Sequence, residues 1–414
     1  MGNTRMNKAG TLLVIVILAL AGLLLAAPVR DFVSGILPIA RPAPPLPPAG
    51  EPLPFSLPEG FTAYLLADNV PGARVMARDP GGALLVSLMN SGKVVALLPR
   101  ADGSSERIVL LEGLQKPHGL AVRCTERCEL YVAEEDGVSV YQYAFDEATK
   151  THRPVNGKKI LDLPDGGHST RSLLFMPDPN DHKLLVSVGS SCNVCIEADE
   201  RRAKLLIANA DGSDLKEYAT GLRNTVFMAI HYVTGDIWGA EMGRDHLGDD
   251  LPPDEVNIIR EGGWYGWPWF YGKNVEDPAL RSKRNWDGSL TGIDPLFAQE
   301  AVPSHIDIPA HSAPLGLAFI PEEGWPEEWW YDLLVAYHGS WNRSVPTGYK
   351  IVRFPLDAEG NPEGPPVDFM TGFMTESGEA RGRPVDILIE PGGVIYVSDD
   401  RAGAIYRIVR TTED

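Results

Sequence analysis

The chain has 414 residues, a formal net charge of −19, 42 glycines and 35 prolines. Such a length buries a large core, as two ordinary domains or one big all-β domain, and the abundant Gly and Pro impose many turns and short elements. The acidity excludes a nucleic-acid partner, whose phosphates need Lys and Arg.

The start of the chain is different in kind. Arg5 and Lys8 precede the run TLLVIVILALAGLLLAA, residues 11–27, which carries no charge. Its 17 residues sit at the short end of a membrane span and beyond the usual signal-peptide core. Positive charge ahead of the run keeps the N-terminus cytoplasmic and sends the rest outward. Residues 1–28 are therefore expected to form a membrane-anchor helix that makes the membrane a partner; small residues at Ala26 and Ala27 leave cleavage open. Either way the body is exported, to the periplasmic or extracytoplasmic side. Residues 29–58 contain nine prolines between 38 and 58 and are expected to form a stiff linker.

The four cysteines form two close pairs, Cys124 with Cys128 and Cys192 with Cys195. In an oxidising compartment two local disulfides are expected, and a joint four-thiolate metal site is the alternative.

After the linker a weak repeat sets the architecture. Its unit is a polar residue, an apolar strand, a Pro/Gly/Asp turn and a second strand. It begins at Arg74, Lys116, Thr170, Arg223, Ala313 and Arg383, and a third strand follows in most instances, such as VSVYQYAF from Val138 and AIYRIVR from Ala404. β-Branched and aromatic residues alternate between the turns, and no long helical period competes. Six such units over residues 59–414 imply an all-β fold, a six-bladed β-propeller preceded by the anchor helix. In a propeller the first strand of each blade lines the central channel, so polar residues where those strands begin converge. Here they are His118, His168, Arg171, Arg223, Asn224, His311, Arg381 and Arg383.

The fourth unit carries the densest chemistry. Asp245, Asp249, Asp250, Asp254 and Glu255 fall within 11 residues, followed by the aromatic run from Trp264 to Tyr271. Composition leaves two alternatives, a calcium- and cofactor-bearing loop or an acidic surface loop beside a packed aromatic cluster. Arg171, Arg223, Arg343, Arg381 and Arg383 make a basic channel mouth on an acidic protein. That contrast suits an anionic ligand with several carboxylates. The hard oxygens nearby suit Ca²⁺, and His168, in a glycine-flanked turn, suits a general base.

The segments GGHSTRSLLF, GLRNTVF, DDLPPDEVNIIREGGWYGWP, HGSWNRSVPTGYKIVRF and RGRPVDI with GGVIYVSDD carry a resemblance. From about Gly60 onward the chain resembles the PQQ-dependent soluble aldose sugar dehydrogenases, the glucose/sorbosone dehydrogenase family of six-bladed propellers. The resemblance implies oxidation of the C1 hydroxyl of an aldose sugar or related alcohol to the lactone. His168 would take the proton while hydride passes to PQQ, and an unidentified acceptor would collect the electrons. It further implies that Arg223 and Asn224 hold PQQ and that Arg381 and Arg383 clamp its carboxylates or reacting oxygen. Gly243 and Arg244 would offer backbone carbonyls to a PQQ-bridging Ca²⁺, with Asp254, Glu255 and Tyr265 near a second Ca²⁺. The chain departs from the family pattern at Val226, where a glutamine is common, and at Asn342 and Arg343, where a lysine is common. A calcium-dependent propeller lactonase or hydrolase, and a propeller that only binds partners, are the alternatives.

Overall fold

The computed structural model describes residues 50–100, 103–281, 286 and 298–410, all within one compact unit, Pro45–Asp414. The expected anchor at residues 11–27 lies outside the described residues. Among the described residues no helix is long and apolar enough to cross a membrane.

Six four-stranded antiparallel sheets make six blades. Blade 1 runs Ala73–Arg78, Leu84–Leu88, Lys93–Pro99 and Ser105–Glu112; blade 2 runs Leu120–Cys124, Cys128–Glu134, Gly137–Asp146 and Thr151–Asp162. Blade 3 is Leu173–Phe175, Lys183–Val188, Lys204–Asn209 and Lys216–Thr220. Blade 4 is Thr225–Ile230, Ile237–Glu241, Asp254–Ile259 and Ile306–Ile308, with a small hairpin, Phe270–Tyr271 against Val275–Glu276, before its last strand. Blade 5 is Pro314–Phe319, Leu333–Tyr337, Lys350–Phe354 and Val367–Met370. Blade 6 takes Pro384–Glu390, Val394–Asp399 and Ala404–Arg410 from the end of the chain, and its fourth strand, Phe61–Ala67, from the beginning. That borrowed strand closes the ring.

The first strands touch one another in blade order and return from blade 6 to blade 1, so they line the axis. Second strands such as Leu84–Leu88 and Leu333–Tyr337 are buried along their whole length, as continuous apolar runs between two neighbours must be. Outer strands such as Ser105–Glu112 bury no residue fully. Apolar clusters bridge adjacent blades, for example Leu185, Leu205 and Leu222 of blade 3 with Ile237 and Ile259 of blade 4. Because every blade runs from the axis outward, two kinds of connection open on one face, here called the upper face. These are the links from second to third strand and from each fourth strand to the next blade.

One expectation changes. Residues 52–58 are not a free tether: Leu53 is buried, Phe55 packs 4.7 Å from Phe373 and 5.0 Å from Tyr406, and Ser56 exchanges backbone hydrogen bonds with Thr371. The prolines masked two apolar anchors. Trp325 sits in the core between blades 5 and 6 against Phe61 of the closing strand. The aromatic run of blade 4 does act as an anchor between blades: Trp264 bridges to Thr220 of blade 3, and Tyr265 is buried in the core those blades share. Both cysteine pairs are disulfides, so no four-thiolate site forms. Cys124–Cys128 joins the first two strands of blade 2, on the lower face. Cys192–Cys195 lies between the second and third strands of blade 3, on the upper face.

Candidate active site

Arg74, His118, Arg171, Arg223 and Arg383 stand at or just before the first strands of five blades, all on the upper face. The arginines differ in what they face. Arg171 is fully buried and donates to the carbonyls of His168 at 2.6 Å, Thr170 at 2.8 Å and Pro164 at 2.6 Å. It therefore shapes the turn that carries His168 rather than facing a ligand. Arg343 likewise donates to the carbonyls of Asp249 and Ala310 and pairs with Asp250 at 2.8 Å. The acidic loop supplies its partner, which the composition of the channel mouth did not disclose.

His168 is partly buried, and its Nδ1 lies 2.9 Å from the Ser190 carbonyl and 2.9 Å from the Ser190 hydroxyl. Ser190 Oγ donates to the Cys192 carbonyl at 2.7 Å. The Ser190 carbonyl can only accept, so Nδ1 carries the proton and Nε2 keeps its lone pair. Burial, then the nearby charge of Arg223, lowers the imidazole to about 4, which leaves it neutral at pH 7. Gly189 allows a close approach: a Cβ there would fall 2.5 Å from Asn224 Oδ1 and 2.7 Å from His168 Cβ. His168 and Asn224 thus meet across this glycine.

Arg223 is buried. Its Nη1 donates to the carbonyls of Met242 at 3.2 Å and Gly243 at 3.0 Å, and its Nε to that of Asn193 at 2.9 Å. Asn224 hangs from Glu241, whose carboxylate accepts the Asn224 and Thr225 donors at 2.6 Å each. Asn224 Oδ1 itself is buried and has no partner.

The expected metal residues divide. Asp254 Oδ1 and Oδ2 accept the backbone N–H of Gly243 and Ala313, both at 2.8 Å, tying blade 4 to blade 5. Tyr265 donates its hydroxyl to the Ile258 carbonyl at 2.6 Å. Glu255, Gly243, Arg244 and Tyr265 line a small cavity of ≈ 30 Å³ together with Glu241 and Asp277. A space of that size suits one ion or about one or two waters. Arg244 is held there by Asp277 at 2.9 Å. Glu241 and Glu255 are cross-strand partners, and burial foremost raises them to about 8 and about 7. Two buried carboxyls with their charge disfavoured are the setting in which a cation is welcome.

A second cluster escaped the sequence. Asp400 accepts from His338 Nε2 at 2.9 Å and from Arg74 at 3.0 Å, joining blades 5, 6 and 1. Arg383 donates to the carbonyls of His338, at 3.0 Å, and of Gly339. His338 and Asp400 follow second strands, whereas the repeat drew attention only to where first strands begin. Arg381 is exposed beside this cluster in sequence. Trp341, 69% exposed, stands edge-on to His246 at 5.5 Å on the upper face.

The family description TrAA12-like matches residues 55–411. A pyrroloquinoline quinone-dependent sugar dehydrogenase of Hypocrea jecorina is 23% identical over 407 residues, spanning 86% of this chain and 89% of its own. The holo form of the pyranose dehydrogenase PQQ domain from Coprinopsis cinerea has a TM-score of 0.71 at 23% identity, covering 88% of this chain and 98% of that one. A calcium structure of the Trichoderma reesei family AA12 carbohydrate-active enzyme has a TM-score of 0.71 at 21% identity, covering 88% and 99%. The structural likenesses establish the six-bladed fold.

Proposed function

The chain belongs to the TrAA12-like family, and from that premise we propose that it is a PQQ-dependent sugar oxidoreductase that uses Ca²⁺. The substrate is an aldose or related alcohol, oxidised at its C1 hydroxyl to the lactone.

The residues present fit such a cofactor. Asn224 Oδ1 and both amide atoms of Asn342 are buried without partners, and such atoms call for a ligand or water. Among the described residues Arg383 Nη1 and the Arg381 guanidinium form no hydrogen bond or ion pair with the protein, and forked cations of this kind suit carboxylates. Asn224, Arg381 and Arg383 would hold PQQ, with the Arg223 charge beside them. The carbonyls of Gly243 and Arg244 would hold Ca²⁺, and a second Ca²⁺ would draw on Glu255 in the cavity. When bound, PQQ supplies a two-electron acceptor for the hydride, and Ca²⁺ anchors and polarises it.

The chain's own groups do the rest. His168 Nε2 receives the hydroxyl proton; burial first and Arg223 second keep the imidazole neutral, so its lone pair is available. Arg171 fixes the turn that aims the ring. Trp341 offers the sugar an exposed aromatic face. The observation that carries the proposal is His168, its Nδ1 engaged by Ser190, meeting the orphaned Asn224 side-chain carbonyl across Gly189. A lactonase-type axial metal would need carboxylates where the first strands instead begin with Arg and His.

His168→Ala tests the role. Turnover should fall by about 10²–10⁴-fold, the usual cost of losing a general base, while PQQ binding persists. A variant that keeps its turnover would sink the assignment.

A further inference from the structure

The Cys192–Cys195 loop was singled out by its cysteines, yet nothing in the proposed chemistry uses it. It lies between the second and third strands of blade 3, within reach of the site. A disulfide between residues three apart closes a very small ring, which restricts the residues inside it. One of these is Asn193. Its carbonyl accepts Arg223 Nε at 2.9 Å, and its Oδ1 accepts Arg223 Nη2 at 3.0 Å. The same Oδ1 accepts the Asp245 backbone N–H at 2.8 Å, and Asn193 Nδ2 donates to the Asp245 carbonyl at 3.0 Å.

These four hydrogen bonds leave the loop and end on two elements of the site. One is the guanidinium of Arg223; the other is the turn that presents the carbonyls of Gly243 and Arg244. The loop also reaches His168, since Ser190, whose carbonyl engages the imidazole, donates its hydroxyl to the Cys192 carbonyl. An amide is suited to this place because it accepts and donates at once. Aspartate would lose the donor to the Asp245 carbonyl and add charge beside Asp245. The other disulfide offers a contrast: Cys124 and Cys128 are register partners within one hairpin on the lower face, far from these groups in the fold.

We propose that Asn193, held by the Cys192–Cys195 ring, is a positioning residue that sets Arg223 and the 243–245 turn for cofactor and metal. The proposal rests on the PQQ function given above. Opening this ring then loosens cofactor binding, and opening the other does not.

The test compares the wild-type protein with Asn193→Ala, Cys192→Ser/Cys195→Ser and Cys124→Ser/Cys128→Ser. Each apoprotein is titrated with PQQ in the presence of Ca²⁺, its unfolding midpoint is measured, and backbone hydrogen exchange is followed over residues 242–248. Asn193→Ala should bind PQQ at least about tenfold more weakly, since a hydrogen bond to a charged group is lost, and Cys192→Ser/Cys195→Ser, which releases Asn193, should weaken binding in the same direction. They should also exchange faster over residues 242–248, while Cys124→Ser/Cys128→Ser keeps the wild-type PQQ affinity. Unchanged affinity and exchange in Asn193→Ala would overturn the proposal. So would a weakening that follows the unfolding midpoint equally in both disulfide variants. Wild-type protein that takes up no PQQ would instead refute the proposed function, and the exchange measurement on Asn193→Ala would still decide the role of Asn193.

Discussion

At the scale of single residues, the site works by engaging most of its cations with the protein and leaving a few groups unmatched. Arg171 and Arg343 act as staples, whereas Asn224 Oδ1 is left for a ligand. The same logic sets a pH dependence. His168 is lowered to about 4 by burial first and Arg223 second. Because the value lies below that of an ordinary histidine, the neutral base is present above about 4 and is lost only as pH falls through it. The pH profile of kcat/KM should therefore stay flat from pH 8 down to about 5 on its acid side. An inflection near 6.5, where an unperturbed imidazole titrates, would contradict this. His168, Arg223, Asn224 and Arg383 were legible in the sequence because they flank first strands of a recurring phrase. Asn193, His338 and Asp400 were not, because they sit in turns whose partners are far away in the chain. For Asn193 the one available signal was its position between two cysteines.

At the scale of elements, the six blades were readable from the repeat because an apolar strand, a Pro/Gly/Asp turn and a second strand recur, in most units behind a polar residue. The closure was not readable. Phe61–Ala67 pairs with Ala404–Arg410, a contact across nearly the whole length of the propeller, and no local pattern announces such a partner. Its energetic role can be measured. Leu65 is 4% exposed and packs in the core between blades 5 and 6. Leu65→Ala should cost about 2–5 kcal/mol of stability, the range for truncating a buried leucine. Denaturant unfolding checks this, and a change within about 0.5 kcal/mol, the scale of an ordinary surface substitution, would mean that the strand does not secure the ring. The end of the expected linker was misjudged for a related reason: proline content described the backbone, but Leu53 and Phe55 determined where it packs.

At the scale of the whole molecule, an acidic protein of net charge −19 gathers Arg74, Arg223, Arg381 and Arg383 on the face where its channel opens. Arg74 is paired with Asp400 at 3.0 Å and Arg223 lies 3.8 Å from Asp245, so the attraction for an anion rests on Arg381 and Arg383. We also propose that the propeller lies on the extracytoplasmic side, anchored through residues 11–27; the uncharged run behind Arg5 and Lys8 and the two disulfides support this. Protease added outside spheroplasts should remove the propeller from the membrane fraction, and full protection would contradict export. The most direct measurement of the central claim is cofactor uptake coupled to turnover. The purified protein is incubated with PQQ and Ca²⁺, freed of excess cofactor, and offered a panel of aldoses with a reducible dye. Quinone absorbance should stay with the protein and at least one aldose should reduce the dye, with both lost when a chelator removes Ca²⁺. Protein that retains no quinone and reduces no dye with any sugar or alcohol would contradict the account.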